Sequence, residues 1–169
     1  MNYRKLRPGT LIPFLHRREA GQALVELAFT MPVLLLMLLG AIEFGQATYA
    51  AIEVSNAAKA AVQYAAMNGG AYYDSAGMTA AAQADGYDLN TLLGTTITAT
   101  AATPTCSCSL STDTCTVNAA PAPPTGCTNS HLFVTVNVTT TATFTPIVHF
   151  PGLPTSFALT GSDTQEVIP

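Results

Sequence analysis

The sequence has almost no positive charge after its first eighteen residues. Five of its six basic residues come before position 20, namely Arg4, Lys5, Arg7, Arg17 and Arg18. Only Lys59 lies beyond them, whereas nine of the ten acidic residues follow Gly21. Because nucleic-acid-binding surfaces are built from clustered basic side chains, we expect no nucleic-acid partner.

Charge of either sign is scarce, and tryptophan is absent. Charged residues make up 9% of the chain, well below the quarter that is usual in soluble domains. The large aliphatic side chains are concentrated in the first third of the sequence. A large soluble core is therefore not expected.

The sequence also lacks the motifs of the common enzyme classes. It contains no G-x-S-x-G, no H-E-x-x-H and no glycine-rich phosphate loop. The carboxylates Asp74, Asp85 and Asp88 lie in an Ala- and Gly-rich segment, where we expect them to be solvated. We predict no catalysis, no cofactor and no metal site.

An apolar run follows the basic residues directly. It carries no charge from Leu27 to Ile42, and Glu26 lies just inside its near edge. About 20 apolar residues are needed to cross a bilayer as a helix, so residues 23–44 are predicted to span a membrane. Pro32 interrupts the run and is predicted to kink the helix. The positive charge ahead of it predicts a cytoplasmic N-terminus, an inner-membrane span and a periplasmic or extracellular remainder.

The composition changes along the chain predict three parts and an α+β fold. Residues 1–21 form a basic leader, and residues 22–68 form one long helix that continues past the membrane. Residues 69–169 form a loop, with a short helix around Thr79–Ala84, followed by a small antiparallel sheet that packs on the helix. Besides the clearest strand, we expect strands at residues 95–103, 157–160 and 165–168. The clearest strand is HLFVTVNVTTTATF, residues 131–144, because apolar and polar residues alternate along it.

Small residues recur every four positions on the part of the helix that lies past the membrane. Ala47, Ala51 and Ser55 form one such row, and Val54 and Ala58 begin another. Small residues at this spacing let helices from different subunits approach closely. The alternative is an amphipathic helix that covers its own domain, and both interpretations stay open.

All four cysteines lie in the part predicted to be exported: Cys106, Cys108, Cys115 and Cys127. An even number in an oxidising compartment predicts two disulfides, and the spacing lacks the paired C-x-x-C pattern of zinc sites. Cys106 and Cys108 are too close in sequence to pair with each other. Two pairings remain open, 106–115 with 108–127 and 106–127 with 108–115.

The segment around Gly21 resembles the processing site of type IV prepilins and pseudopilins. Cleavage after Gly21 would make Gln22 the first residue of the product and Glu26 the fifth. A longer stretch is similar to TadE-like proteins of the Tad/Flp tight-adherence pilus. The elements that carry this likeness are Gly21, Glu26, the Ala28–Phe29 pair, Pro32, the leucine run and Ile42-Glu43-Phe44-Gly45.

The resemblance implies a non-catalytic pseudopilin or minor pilin that takes part in pilus assembly. Its implied partners are the inner membrane, a prepilin peptidase, other pilins and pseudopilins, and the pilus assembly machinery. It covers residues 17 to about 67 and leaves the Cys- and Thr-rich remainder uncovered.

Glu26 is costly in lipid unless it is paired. Cleavage after Gly21 would create an α-amino group on Gln22, four residues away, on the same helix or on a neighbouring one. We therefore hypothesise that Glu26 sets the register of subunit docking. Glu43 closes the apolar run. We interpret it as marking the point where the helix leaves the membrane on its outer side.

Two other functions are compatible with the sequence. The basic segment and apolar run have the order of a secretory signal peptide, and the Ala47–Ala50 segment has small residues suited to cleavage. The chain could also be an envelope domain or adhesin held by an uncleaved anchor. The N-terminal residue of the mature protein distinguishes these alternatives.

Overall fold

The computed structural model of the 169-residue chain describes residues 17–67, 70–149, 152 and 154–167. Most of the predicted leader, residues 1–21, lies outside the described residues. The chain divides after Ala41 into two units, and each unit is described by itself below.

The predicted α+β fold is confirmed. One long helix, α1, runs over Arg17–Met67 and is followed by a 3₁₀ turn at Ala71–Tyr73 and two short helices, α2 (Ser75–Asp85) and α3 (Tyr87–Leu93). Six strands follow: β1 (Thr98–Ala101), β2 (Thr105–Cys108), β3 (Cys115–Thr116), β4 (Thr125–Gly126), β5 (Leu132–Phe144) and β6 (Phe157–Val167).

The helices α2 and α3 replace most of the loop that the sequence predicted after α1. Asp74 begins α2 because its side chain accepts a hydrogen bond from the backbone N–H of Gly77, at 2.9 Å. An aspartate in this N-cap position satisfies a backbone donor that the first helical turn leaves free. Gly94 ends α3 with a φ of +64°, a conformation that glycine adopts without strain.

Strand β5 is the centre of the main sheet. It pairs antiparallel with β6 on one side, and with β1 and β2 on the other. Its alternate residues are buried, including Val134, Val136 and Val138, as the alternating pattern in the sequence predicts. The two-residue strands β3 and β4 form a separate small sheet.

The second half of α1 supplies the other wall of the core. The fully buried residues on this helix are small: Val54, Ala57, Ala58, Ala61, Val62 and Ala65. All of them except Ala58 form one cluster with the buried valines of β5, so this face of the helix covers its own domain. Burial of a valine side chain contributes about 1.5–3 kcal/mol, so this contact stabilises the domain.

The helix and the sheet approach each other most closely at Gly161 of β6. A Cβ atom placed on Gly161 would lie 2.7 Å from the carbonyl oxygen of Val54 and 2.8 Å from the Cα of Ser55. Next to it, the hydroxyl of Thr140 donates a hydrogen bond to the same Val54 carbonyl oxygen, at 2.6 Å. A glycine and one buried hydroxyl therefore set the spacing between α1 and the sheet.

Candidate processing and docking site

Gly21 and Gln22 lie inside α1, because the helix begins at Arg17. The sequence predicted a start at residue 22. The earlier start has a local reason, since Arg, Glu, Ala and Gln are good helix formers and proline is absent from residues 17–22. Both residues are exposed, and a Cβ atom added to Gly21 would meet nothing within 4 Å.

Glu26 follows Gln22 by one helical turn, and its side chain is also exposed. The 3.6-residue repeat of the helix places residues four apart on one face. Glu26 and the backbone nitrogen of Gln22 are therefore neighbours on the surface of α1. This arrangement is compatible with a pairing of the two groups, and the docking role of Glu26 remains a hypothesis.

Every residue from 21 to 42 is exposed, although most of them are apolar. Phe29 exposes 77% of its surface and Leu34 exposes 60%. Exposed apolar surfaces of this extent mark a membrane-facing or protein-binding segment. From Gly21 to Met67 the helix is long and apolar enough to cross a membrane, as judged by its length and composition.

Pro32 lies within α1, whose helical conformation continues on both sides of it. Proline has no N–H group, so it cannot donate to the carbonyl of Ala28 one turn earlier. Two residues before it, the Thr30 hydroxyl donates to the carbonyl oxygens of Glu26, at 3.0 Å, and Leu27, at 3.3 Å. Back-bonding of this kind is associated with helix bending, and the kink itself remains a prediction.

These features lie on a segment that has known relatives. Residues 21–63 match the family of TadE-like proteins. The resemblance seen in the sequence is thereby confirmed for this segment, which we call the TadE-like segment. No curated protein and no solved structure matches the chain.

The TadE-like segment lies entirely within α1. It begins at Gly21, the residue that precedes the predicted cleavage point, and it includes Glu26, Pro32 and Glu43. It ends inside the part of the helix that covers the sheet, so the strands and the cysteines fall outside the match. The family suggests a pseudopilin associated with the Tad pilus.

Glu43 has a contact that the sequence did not reveal. Its Oε1 accepts a hydrogen bond from the backbone N–H of Val148, at 2.8 Å, across 105 residues of sequence. Its Oε2 and the Oε1 of Gln46 are buried and have no hydrogen-bond partner among the described residues. Besides its predicted place at the end of the apolar run, Glu43 therefore holds the connection between β5 and β6 against the helix.

Two disulfides hold the segment between β2 and β5. Cys106 is bonded to Cys115 and Cys108 to Cys127, with Cα–Cα distances of 6.0 Å and 5.5 Å. This is one of the two pairings that the sequence left open. Because Cys106 and Cys108 both lie on β2, the two bridges fix both ends of this segment to the same strand.

Asp113, which lies within the segment between β2 and β5, stabilises this segment by hydrogen bonds. Its Oδ2 accepts hydrogen bonds from the Ser130 hydroxyl, at 2.7 Å, and from the Asn129 backbone N–H, at 2.9 Å. These bonds, the one from Ser130 first, lower the pKa of the Asp113 carboxyl below its ordinary value because they favour the ionised form. A carboxylate at this position thus ties the turn before β3 to the turn before β5.

Asp74 is exposed, and it also makes specific hydrogen bonds that the sequence did not predict. Besides capping α2, it accepts a hydrogen bond from the Tyr64 hydroxyl of α1 at 2.8 Å. The Gly77 N–H and then the Tyr64 hydroxyl lower the pKa of the Asp74 carboxyl. The sequence offered one signal for this cap, which is an aspartate three residues before a glycine at the start of an Ala-rich segment.

The described part of the chain brings together no group of three or more His, Cys, Asp or Glu side chains that could hold a metal ion. His131 and His149 are both exposed.

Proposed function

We propose that this chain is a non-catalytic pseudopilin or minor pilin that takes part in assembly of a Tad/Flp-type pilus. The observation that carries the proposal is the coincidence of two features on one helix. The match to TadE-like proteins covers residues 21–63, and on the same helix every residue from 21 to 42 is exposed although most of them are apolar. A pilin-like subunit needs such a helix first as a membrane anchor and then as a packing surface.

In the proposed topology, residues 23–44 cross the inner membrane. The basic residues before them stay in the cytoplasm, as positively charged flanks usually do. The remainder of the chain, with its two disulfides, is placed in the oxidising periplasm or outside the cell. This remainder has a single basic residue, Lys59, which does not oppose the orientation favoured by the basic residues before the span.

Processing is proposed to occur between Gly21 and Gln22 by a prepilin peptidase. It would remove the positively charged leader, which holds the N-terminus on the cytoplasmic side. It would also leave an α-amino group in place of a peptide bond, one turn from Glu26. Cleavage would thus free the helix to leave the membrane. It would also create a positively charged amine that can pair with Glu26.

Glu26 is proposed to dock the subunit through that cation. A charged side chain near the centre of a bilayer helix costs about 2.5–3.5 kcal/mol, and less toward its ends. Pairing with the Gln22 amine of a neighbouring subunit relieves this cost only when subunits meet at the correct axial offset. The acid would therefore favour one register among the many that an apolar helix permits.

N-terminal sequencing of the mature protein tests the processing step. We expect the product to begin at Gln22 in cells with an active prepilin peptidase, and the leader to remain in cells that lack it. Gly21→Leu should block processing. Gly40→Leu is the matched control, because a Cβ atom at either glycine meets nothing within 4 Å.

Other N-termini would contradict the proposal. A mature protein that begins near Ala51 would identify an ordinary secreted protein. A chain that keeps its leader in the presence of the active peptidase would identify an uncleaved membrane anchor.

A further inference from the structure

Two hydrogen bonds fix how the sheet lies along the second half of α1. The Thr140 hydroxyl of β5 donates to the Val54 carbonyl oxygen. Further along the chain, the Val148 N–H donates to the Glu43 carboxylate, which lies about 16 Å before Val54 on the helix. The rise of a strand places Phe144, the last residue of β5, about 13 Å beyond Thr140. Strand β5 therefore runs back along α1 and ends close to the level of Glu43.

We call this end of the domain the base. Large apolar side chains are exposed there on three different elements. Phe44 on α1 exposes 72% of its surface, and Ile147 on the connection after β5 exposes 70%. Phe157, the first residue of β6 and the partner of Phe144, exposes 40%. A single exposed apolar side chain is ordinary, but a group of them at one end of a domain marks a contact surface.

The segments that build the base carry no charge apart from Glu43. Residues 89–112 and 144–162 contain no Asp, Glu, Lys or Arg. They supply the connection after β5, the start of β6 and the residues before β1, which are hydrogen-bonded to the end of β5. On α1, the first charged residue after Glu43 is Glu53, about 15 Å further along the helix. The base thus prolongs the uncharged part of α1 sideways.

The hydrogen bond between Glu43 and Val148 suits a position against lipid. Val148 lies outside the strands, so its N–H has no partner in the sheet. A backbone donor that faces lipid without a partner is costly, and so is a carboxylate. The Glu43 Oε1 accepts this N–H at 2.8 Å, and the Oε2 is buried. The contact therefore keeps both polar groups away from lipid at the point where the apolar run ends.

We propose that the base rests on the outer side of the membrane, with Ile147 and Phe157 inserted at the level of the lipid headgroups. The inference rests on the proposed topology, in which the span ends at residue 44. Val148 is then held at the depth where the helix leaves the bilayer, and Ile147 beside it reaches lipid without any movement of the domain. A lipid surface is favoured over a protein partner because α1 already holds the base next to lipid.

Tryptophan fluorescence tests the proposal, because the chain has no tryptophan and each introduced one reports a single position. The full-length chain is placed at one copy per nanodisc of phosphatidylcholine. Quenching by brominated lipid is compared with quenching by acrylamide in the water. We expect the lipid to quench Ile147→Trp and Phe157→Trp. Leu110→Trp, an exposed position after β2 at the opposite end of β5, should be quenched by acrylamide alone.

Leu34→Trp, within the predicted span, separates this proposal from the proposed topology. Lipid quenching at Leu34 but not at Ile147 would refute contact of the base with lipid and leave the span intact. No lipid quenching at Leu34 would refute both. Equal lipid quenching at Leu110 and Ile147 would refute a specific contact by the base. Protection of Ile147→Trp from acrylamide only when two copies share a nanodisc would identify a subunit interface instead.

A charge substitution separates the behaviour of the base from the lipid affinity of tryptophan itself. In the Phe157→Trp chain, Ile147→Asp should shift the balance between bound and free base about tenfold toward the free form, because an apolar side chain is lost from the contact. Ile147 is exposed, so its replacement leaves the core intact. Leu110→Asp is the matched control and should change nothing. Equal effects of the two aspartates would contradict the proposal. The readout does not depend on processing at Gly21.

Discussion

The hydroxyl of Thr140 on β5 donates a hydrogen bond to the carbonyl oxygen of Val54 on α1, at 2.6 Å. Thr140 is the one polar residue among the fully buried side chains of the described chain. Its Oγ1 also lies 3.4 Å from the carbonyl oxygen of Gly161. A buried hydroxyl is stable only when it is hydrogen-bonded, so this residue ties the helix to two strands at one point.

Thr140→Val should destabilise the domain by about 1 kcal/mol, because it removes this hydrogen bond and keeps the shape of the side chain. The measurement is urea denaturation of the full chain in detergent micelles, followed by tyrosine near-ultraviolet circular dichroism. Thr141→Val, one residue along on the exposed face, is the control and should change the free energy of unfolding little. Equal effects at the two positions would contradict the role assigned to Thr140.

Gly161→Ala should destabilise the domain by about 1–3 kcal/mol, the usual cost of overpacking. The new methyl group would meet backbone atoms of Val54 and Ser55, which cannot rotate away. Gly45→Ala is an informative contrast, because nothing lies within 4 Å of an added Cβ there and alanine favours the helix. The same denaturation assay should show opposite signs for the two substitutions.

The disulfide pairing predicts which cysteine variants leave free thiols. Cys106→Ser with Cys115→Ser removes one complete bridge, so no thiol should react with an alkylating reagent under native conditions. Cys106→Ser with Cys127→Ser breaks both bridges and should leave two reactive thiols. The reverse labelling pattern would identify the other pairing.

The two bridges should also differ in their contribution to stability. They close loops with sequence separations of 9 and 19 residues. In the chain-entropy account, the longer loop contributes about 0.6 kcal/mol more. Removal of the Cys108–Cys127 bridge should therefore lower the denaturation midpoint further than removal of the Cys106–Cys115 bridge.

Asp113 and Asp74 make stability depend on acid pH. Hydrogen bonds lower the pKa of both carboxyls from the ordinary value of 3.8. The two ionised carboxyls therefore stabilise the fold fully at a pH above 3.8. This stabilisation is lost as the pH falls from 3.8 through the lower pKa of each carboxyl in the folded state. The thermal midpoint should drop over this range, and Asp113→Asn should flatten the drop. Ser130→Ala removes the strongest of its hydrogen bonds and should reduce the drop partially.

Glu26→Gln should leave membrane insertion intact and weaken association between subunits. The amide keeps the size of the side chain but cannot form an ion pair with a freed amine. Cross-linking in membranes, together with pilus assembly in cells, measures the effect. Thr30→Val, one turn further along the same face, is the matched control. Assembly by Glu26→Gln at the level of the parent chain would rule out docking through the charge.

The sequence predicted the elements whose patterns are local. The alternation of valine and threonine identified β5, and the long apolar and Ala-rich stretch identified α1. The prediction of helix α2 was incomplete, because its Ala- and Gly-rich sequence has weak apolar periodicity and its start depends on the Asp74 cap. The strand Thr98–Ala101 was predicted with wider ends, and the continuous strand Phe157–Val167 was predicted as two shorter strands.

The contacts that join distant segments could not be predicted in this way. Nothing near Glu43 indicates that Val148 lies beside it, because the pairing depends on how β5 and its following connection return to the helix. The close approach of the helix at Gly161 could not be predicted either, because a glycine in a strand has several explanations. The disulfide pairing required knowledge of which residue of β2 faces which turn.

The alanine-lined face of α1 and Gly161 leave no room for larger side chains between helix and sheet. Larger side chains are therefore expected to be tolerated only elsewhere in the domain. The outward side of the sheet and the cross-linked turns can accept new residues without moving the helix. The surface of the sheet domain could thus change while the packing between α1 and the sheet stays the same.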